Sequence, residues 1–151
     1  LSNNEKECIK DYLKSNNKNL SEKHNLTMTP SRIDIIAEYY TRYIMDTGSG
    51  IKKIKSFYDE IKKIELYFFK THDINIVLEE DAIDYIIEQL ITSEISIDAF
   101  YKQLTKDFEL GLKLVREKTA KNRFFITRKA LLNPESFISE LIKDELVKSP
   151  I

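Results

Sequence analysis

From Ile51 onward the apolar residues fall at Ile51, Ile54, Phe57, Tyr58, Ile61, Ile64, Leu66 and Phe68, with lysines filling much of the opposite face. Spacing of three and four sustained over about five turns places one apolar stripe on a helix and is incompatible with a strand. A chain carrying such an element must supply other apolar surfaces to cover it.

Toward the N-terminus, Ser2 and Glu5 fit a capping box ahead of a helix over residues 3–15, with Cys8, Ile9, Tyr12 and Leu13 on one face. The stretch SNNKNLSEKHNLTM (15–28) is polar and asparagine-rich and reads as a connector. Thr29 then caps a new helix with Pro30 at its first position, where the missing N–H costs nothing. Ile33, Ile36, Tyr40, Tyr43 and Ile44 recur at helical spacing, and Gly48 is placed to end that helix in a left-handed cap. Residues 1–28 are thus expected to form an N-terminal helix and connector, and 29–151 the main helical domain.

Beyond the long helix the period changes. INIVL (74–78) is rich in β-branched residues and reads as a strand. An acidic-headed helix follows over 79–91, favoured by the positive end of its own dipole. A second long helix is expected over 97–118, with Phe100, Leu104, Phe108, Gly111 and Val115 on one stripe. RFFIT (123–127) reads as a second strand, and Asn133 with Pro134 opens a final helix. The fold class expected is α+β, mainly α: helices with a small two- or three-stranded sheet that they must support.

Composition narrows the function classes. With 24 basic and 25 acidic residues the net charge is −1, so no nucleic-acid or anionic-membrane partner is advertised. No apolar run approaches the roughly 20 residues that span a bilayer. The single Cys8 cannot form an internal disulfide, and a cytoplasmic setting is the simplest expectation. Because the first residue is Leu1, the chain is expected to be cut from something longer.

Candidate chemistry is sparse. Gly48, Ser49, Gly50 and Lys52 suggest phosphate binding. A Walker loop needs a glycine, four residues and then Gly-Lys-Ser/Thr after a strand, and this spacing fails. A helix N-terminus behind small residues remains a possible anion contact. His24, His72 and Cys8 are too scattered for a metal site, and Glu79-Glu80-Asp81 is explained by the helix dipole. Tyr39, Arg42 and Tyr43 suggest a partner surface, against which stands simple core packing of the tyrosines. Charge is segregated: residues 73–98 carry no Lys or Arg, whereas 99–129 are strongly basic. No self-contained active site is found.

The element order brings a family into view. INIVLEEDAIDYIIEQLI (74–91) resembles the strand-then-helix opening of the C-terminal lid domain in AAA+ ATPases of the Clp and Lon kind, and RFFIT matches its second strand. YYTRYIMDTGSGIKKI (39–54) is similar to a Tyr-Thr-Arg segment and glycine turn in Lon lids. The two registers compete for the same role. Either implies a lid over nucleotide held by an upstream ATPase domain, packed on neighbouring subunits of a ring that unfolds or remodels protein substrates, in some members for proteolysis. ATP and Mg are then implied for the parent protein, with no cofactor bound by this chain alone. The lid arginine that senses the γ-phosphate sits in a Gly-Ala-Arg turn. That turn reads Gly48-Ser49-Gly50 in the Lon-like register and Ser96-Ile97-Asp98 in the Clp-like one, and neither holds an arginine. The alternative is a helical protein-interaction module with no nucleotide role.

Overall fold

A computed structural model describes the backbone of residues 2–43 and 47–148, and the side-chain surroundings of 5–42 and 49–144. It is mainly helical with one small sheet: α1 (Ser2–Ser15), α2 (Asn17–His24), α3 (Pro30–Tyr43), α4 (Thr47–His72), β1 (Ile76–Leu78), α5 (Glu80–Thr92), α6 (Ile97–Thr119), β2 (Phe124–Ile126), α7 (Arg128–Leu132) and α8 (Pro134–Lys148).

The long helix α4 is the spine. Ile51, Ile54, Ile61, Ile64 and Phe68 are all at most 1% exposed, so the stripe read from sequence is the stripe that is buried. Leu66 departs from it. Two residues beyond Ile64 is about 200° round a helix, and Leu66 accordingly points away from the core and is 51% exposed. At the far end of α4, Asp73 takes a left-handed conformation (φ 56°). Arg116 Nη1 donates to the carbonyls of His72 (3.1 Å) and Asp73 (2.6 Å). A cation on those last carbonyls satisfies acceptors that the helix leaves open and opposes its negative end.

Strands β1 and β2 pair in parallel, with Ile76 opposite Phe124, Val77 opposite Phe125 and Leu78 opposite Ile126. Parallel strands need a long crossover, which α5 and α6 supply. Ile76, Leu78, Phe124 and Ile126 are buried, so one face of the sheet lies on the core.

The N-terminal segment contributes to the same apolar cluster through Ile9, Leu13, Leu26 and Met28. Two expectations fail there. The stretch read as a connector contains α2, which ends at Asn25 (φ 51°). That helix is held by tertiary bonds: Asn17 Nδ2 donates to the Met28 carbonyl (2.9 Å), and Met28 N–H donates to Ser21 Oγ (3.3 Å). Cys8 and Tyr12 are exposed, leaving Ile9 and Leu13 as the buried face of α1. The capping box at Ser2 lies outside the described side chains. Gly48 also differs from expectation. It falls in the first turn of α4, and no described glycine has a positive φ, so it is not a left-handed cap.

Both proline-headed helices start where the sequence placed them. Arg32 N–H donates to Thr29 Oγ1 (3.2 Å), and Ser136 N–H donates to Asn133 Oδ1 (3.3 Å). Helix α8 rests on α6 at Gly111. A Cβ there would lie 2.6 Å from Cγ2 and 2.9 Å from Cδ1 of Ile138, closer than carbon atoms pack. Gly111→Ala should therefore lower stability by about 1–3 kcal/mol. Ile138→Ala in the same chain should recover part of that loss in urea titrations. An undiminished midpoint for Gly111→Ala alone would show that α8 does not press on α6.

Candidate functional site

The most developed polar arrangement is built on Arg32. Thr29 and Pro30 fix the start of α3, which puts Arg32 on the helix face that also carries Ile35, Ile36 and Tyr39. That face is buried, and Arg32 is 1% exposed. Its Nε donates to Asp84 Oδ1 (3.1 Å), its Nη2 to Glu80 Oε1 (3.0 Å) and its Nη1 to the carbonyl of Thr27 (3.1 Å). The guanidinium carbon lies 4.9 Å from the centroid of the Tyr58 ring, and Tyr58 OH donates to Glu80 Oε2 (3.1 Å). One side chain thus ties α3 to α4 and α5. The planar fork of arginine meets several acceptors at once, which lysine cannot do.

The electrostatics follow from burial. Asp84 has its pKa raised by removal from water, opposed by the Arg32 charge and by hydrogen bonds from Arg32 and Ser31. Tyr58 is raised too, first by burial and then by the neighbouring Glu80. A carboxyl with a raised folded-state pKa binds more protons folded than unfolded just above its ordinary value of 3.8. There the contribution of Asp84 to stability falls as pH rises. The expected result is a stability difference between the parent and Asp84→Asn that shrinks, in favour of the variant, as pH climbs from 4 through the raised pKa. A difference that grows over that range would overturn this assignment. Glu38 behaves oppositely: its hydrogen bond from Lys6 (2.7 Å) lowers its pKa, so its contribution is lost as pH falls.

Arg32 and Asp84 are not among the functional residues expected from sequence. A signal existed, since each is a charged residue inside an apolar helical stripe, but their partnership spans 52 residues and no local pattern encodes it. The residues singled out from sequence do not converge. Gly50 is buried near Ile36, Lys52 is exposed, and Ser49 lies in the first turn of α4 with Gly48. Tyr39 is 8% exposed and packs edge-on against Phe57, so it belongs to the core rather than to a surface. Arg42 reaches from α3 to the carbonyl of Ile91 in the last turn of α5 (3.5 Å). The side chain of Tyr43 lies outside the described residues. His72 packs on Phe68 (centroids 4.7 Å apart) with Nδ1 3.3 Å from Glu109, while His24 lies on α2, where burial first and then the charges of Lys23 and Lys52 lower its pKa. Among the described residues, no three His, Cys, Asp or Glu side chains are grouped to hold a metal ion.

A cleft of about 410 Å³ opens between α5, α6 and α7, lined by Tyr85, Phe100, Leu104, Phe108 and Leu131 with Gln103 and Asp107 at its polar side. Its apolar walls suit a side chain or small apolar group better than a polyphosphate. No described helix is long and apolar enough to cross a membrane. Comparison with protein-family models, curated proteins and solved structures finds no match.

Proposed function

We propose that this chain is the small lid domain of an AAA+ ATPase of the Clp or Lon type, acting in the cytoplasm within a ring that couples ATP hydrolysis to protein unfolding or remodelling. The observation that carries the reading is the order α4–β1–α5–α6–β2. In it, two short strands separated by two helices pair in parallel over a long supporting helix. The strand, acidic-headed helix, second helix and second strand follow the order that the Clp-like resemblance implies for residues 74–127. In the Lon-like register Gly48-Ser49-Gly50 would be a turn, and here it begins α4 instead, which favours the Clp-like one.

In that register Ser96, Ile97 and Asp98 stand where the family's sensing arginine would be. Ser96 caps α6 by accepting from Ala99 N–H (3.0 Å). Nucleotide sensing then falls to the ATPase domain, and this lid transmits motion as a body. ATP and Mg belong to the parent protein, and ring neighbours and protein substrates are its partners.

The test begins with the coding sequence upstream of Leu1, where a Gly-x-x-x-x-Gly-Lys-Ser/Thr loop after a strand is expected. The polypeptide that includes it should hydrolyse ATP, and removal of residues 29–151 should abolish that activity, with recovery on adding this chain back. An upstream region without such a loop would overturn the reading. A second reading, a protein-interaction module without ATPase, draws on the exposed Leu66, Phe69, Leu110 and Leu132, of which Leu110 is 79% exposed.

A further inference from the structure

The two edges of the sheet are treated differently. On the outer side of β1, Leu78 N–H donates to Glu65 Oε2 of α4 at 2.7 Å, so that edge is closed by a side chain. On β2 the cross-strand bonds run through Phe124, whose N–H donates to the Asn75 carbonyl (2.9 Å), and Ile126, whose carbonyl accepts from Glu79 N–H (2.9 Å). In a parallel ladder the intervening residue turns its N–H and C=O the other way. That residue is Phe125, which makes no hydrogen bond among the described residues. Its side chain is 47% exposed, with the Arg123 guanidinium carbon 5.3 Å from the ring centroid. An unpaired strand edge beside an exposed aromatic is a template for one more strand.

Charge decides what fits it. From Lys118 to Asn133 there is no acidic residue, while Lys121, Arg123, Arg128 and Lys129 flank or enter β2. Arg128 is already engaged with Glu88 (3.8 Å) and Tyr85. A second copy of β2 laid antiparallel and centred on Phe125 would bring Arg123 of one chain toward Arg128 and Lys129 of the other, and like charges across a pair repel. An acidic segment meets no such opposition.

We propose that the open edge of β2 binds an extended acidic segment of a partner protein by strand addition, with its main chain on Phe125 and its carboxylates on Arg123 and Lys129. This inference rests on the strand geometry and charge alone, so it stands or falls independently of the ATPase reading.

The test uses this chain and a fluorescein-labelled peptide of alternating valine and glutamate, followed by anisotropy at low salt. Two further peptides serve as probes, one N-methylated at alternate amides and one with lysine in place of glutamate. Saturable binding is expected, weakened at least tenfold by N-methylation and abolished with the lysine peptide. Phe125→Pro removes the outward N–H without touching the β1 ladder, and prolines are tolerated at such edges. It should weaken binding at least tenfold, and Arg123→Glu several-fold. Unchanged circular dichroism would show that both variants remain folded. If Phe125→Pro unfolds the chain, Phe125→Glu serves instead: it sets a carboxylate against the acidic peptide, and the same tenfold loss is expected. No binding of the glutamate peptide, or equal binding of its N-methylated form, would overturn the proposal, as would dimerisation of the chain through this edge.

Discussion

Arg32→Ala should destabilise the fold by about 3–5 kcal/mol, because it leaves the buried Asp84 carboxylate without its cation. The Asp84 side chain is only 6% exposed, whereas that of Glu80 is 53% exposed and regains water when Arg32 is lost. Most of the cost therefore traces to Asp84. Arg32→Lys should recover little, since an ammonium cannot meet Asp84, Glu80 and the Thr27 carbonyl in one plane. The double variant Arg32→Met, Asp84→Leu should be more stable than Arg32→Ala alone, because it removes the charges together. Urea titrations of the four chains decide the matter. A loss below about 1 kcal/mol for Arg32→Ala, the surface ion-pair range, would mean that the cluster is hydrated and does not clamp the helices.

That clamp marks the limit of what local sequence reveals. The elements follow from patterns a few residues wide: the stripe of α4, the Thr29–Pro30 and Asn133–Pro134 starts, and the β-branched run that becomes β1. Each is fixed by nearest-neighbour sterics and hydrogen bonding, so each was legible. Helix α2 was not, because Asn17, Asn19, Ser21 and His24 are weak helix formers and Leu20 alone gives it an apolar face. Its anchoring to Met28 is tertiary, and tertiary context overrides propensity. Cys8 was misplaced for a related reason. A helix of 14 residues offers several faces, and the covering of α1 by α3, with Lys6 on Glu38 and Lys10 on Asp34, selects the one through Ile9 and Leu13.

The candidate site was less legible than the fold. Gly48, Ser49 and Gly50 stand out by composition, yet three small residues begin a helix as readily as they form a loop when an apolar stripe follows at once. Arg32 does not, although an arginine in phase with Ile35, Ile36 and Tyr39 must either break the face or carry its own partners inward. Its partners lie on another helix, so only the assembled fold identifies them. The open edge of β2 is likewise a property of pairing. RFFIT reads as a strand, but which of its residues points outward depends on the register with β1.

Phe68→Ala should cost about 3 kcal/mol, toward the low end of the 3–5 kcal/mol usual for a buried phenylalanine. Phe68 is 0% exposed and touches the rings of His72 and Tyr101, joining α4 to α6. Its surroundings are unusual. His72 Nε2, Tyr101 OH and Thr105 Oγ1 are buried atoms without a hydrogen-bond partner among the described residues. Tyr101, Thr105 and Glu109 succeed one another at intervals of four on α6, and Glu109 is the residue that His72 Nδ1 faces. The phenyl ring touches two of these residues, and a water molecule that gains two or more polar partners in its place is stable where an apolar cavity stays dry. Phe108 is the control. It is 1% exposed and packs against Phe137, with ring centroids 6.0 Å apart, beside the Gly111–Ile138 contact. Its removal widens the cleft between α5, α6 and α7, whose lining includes none of those three polar residues. Phe108→Ala should be the costlier change by about 1 kcal/mol, a gap of the size of one net hydrogen bond. Equal losses, or a larger loss for Phe68→Ala, would show that water does not enter and that the three polar atoms stay unpaired in the variant as well.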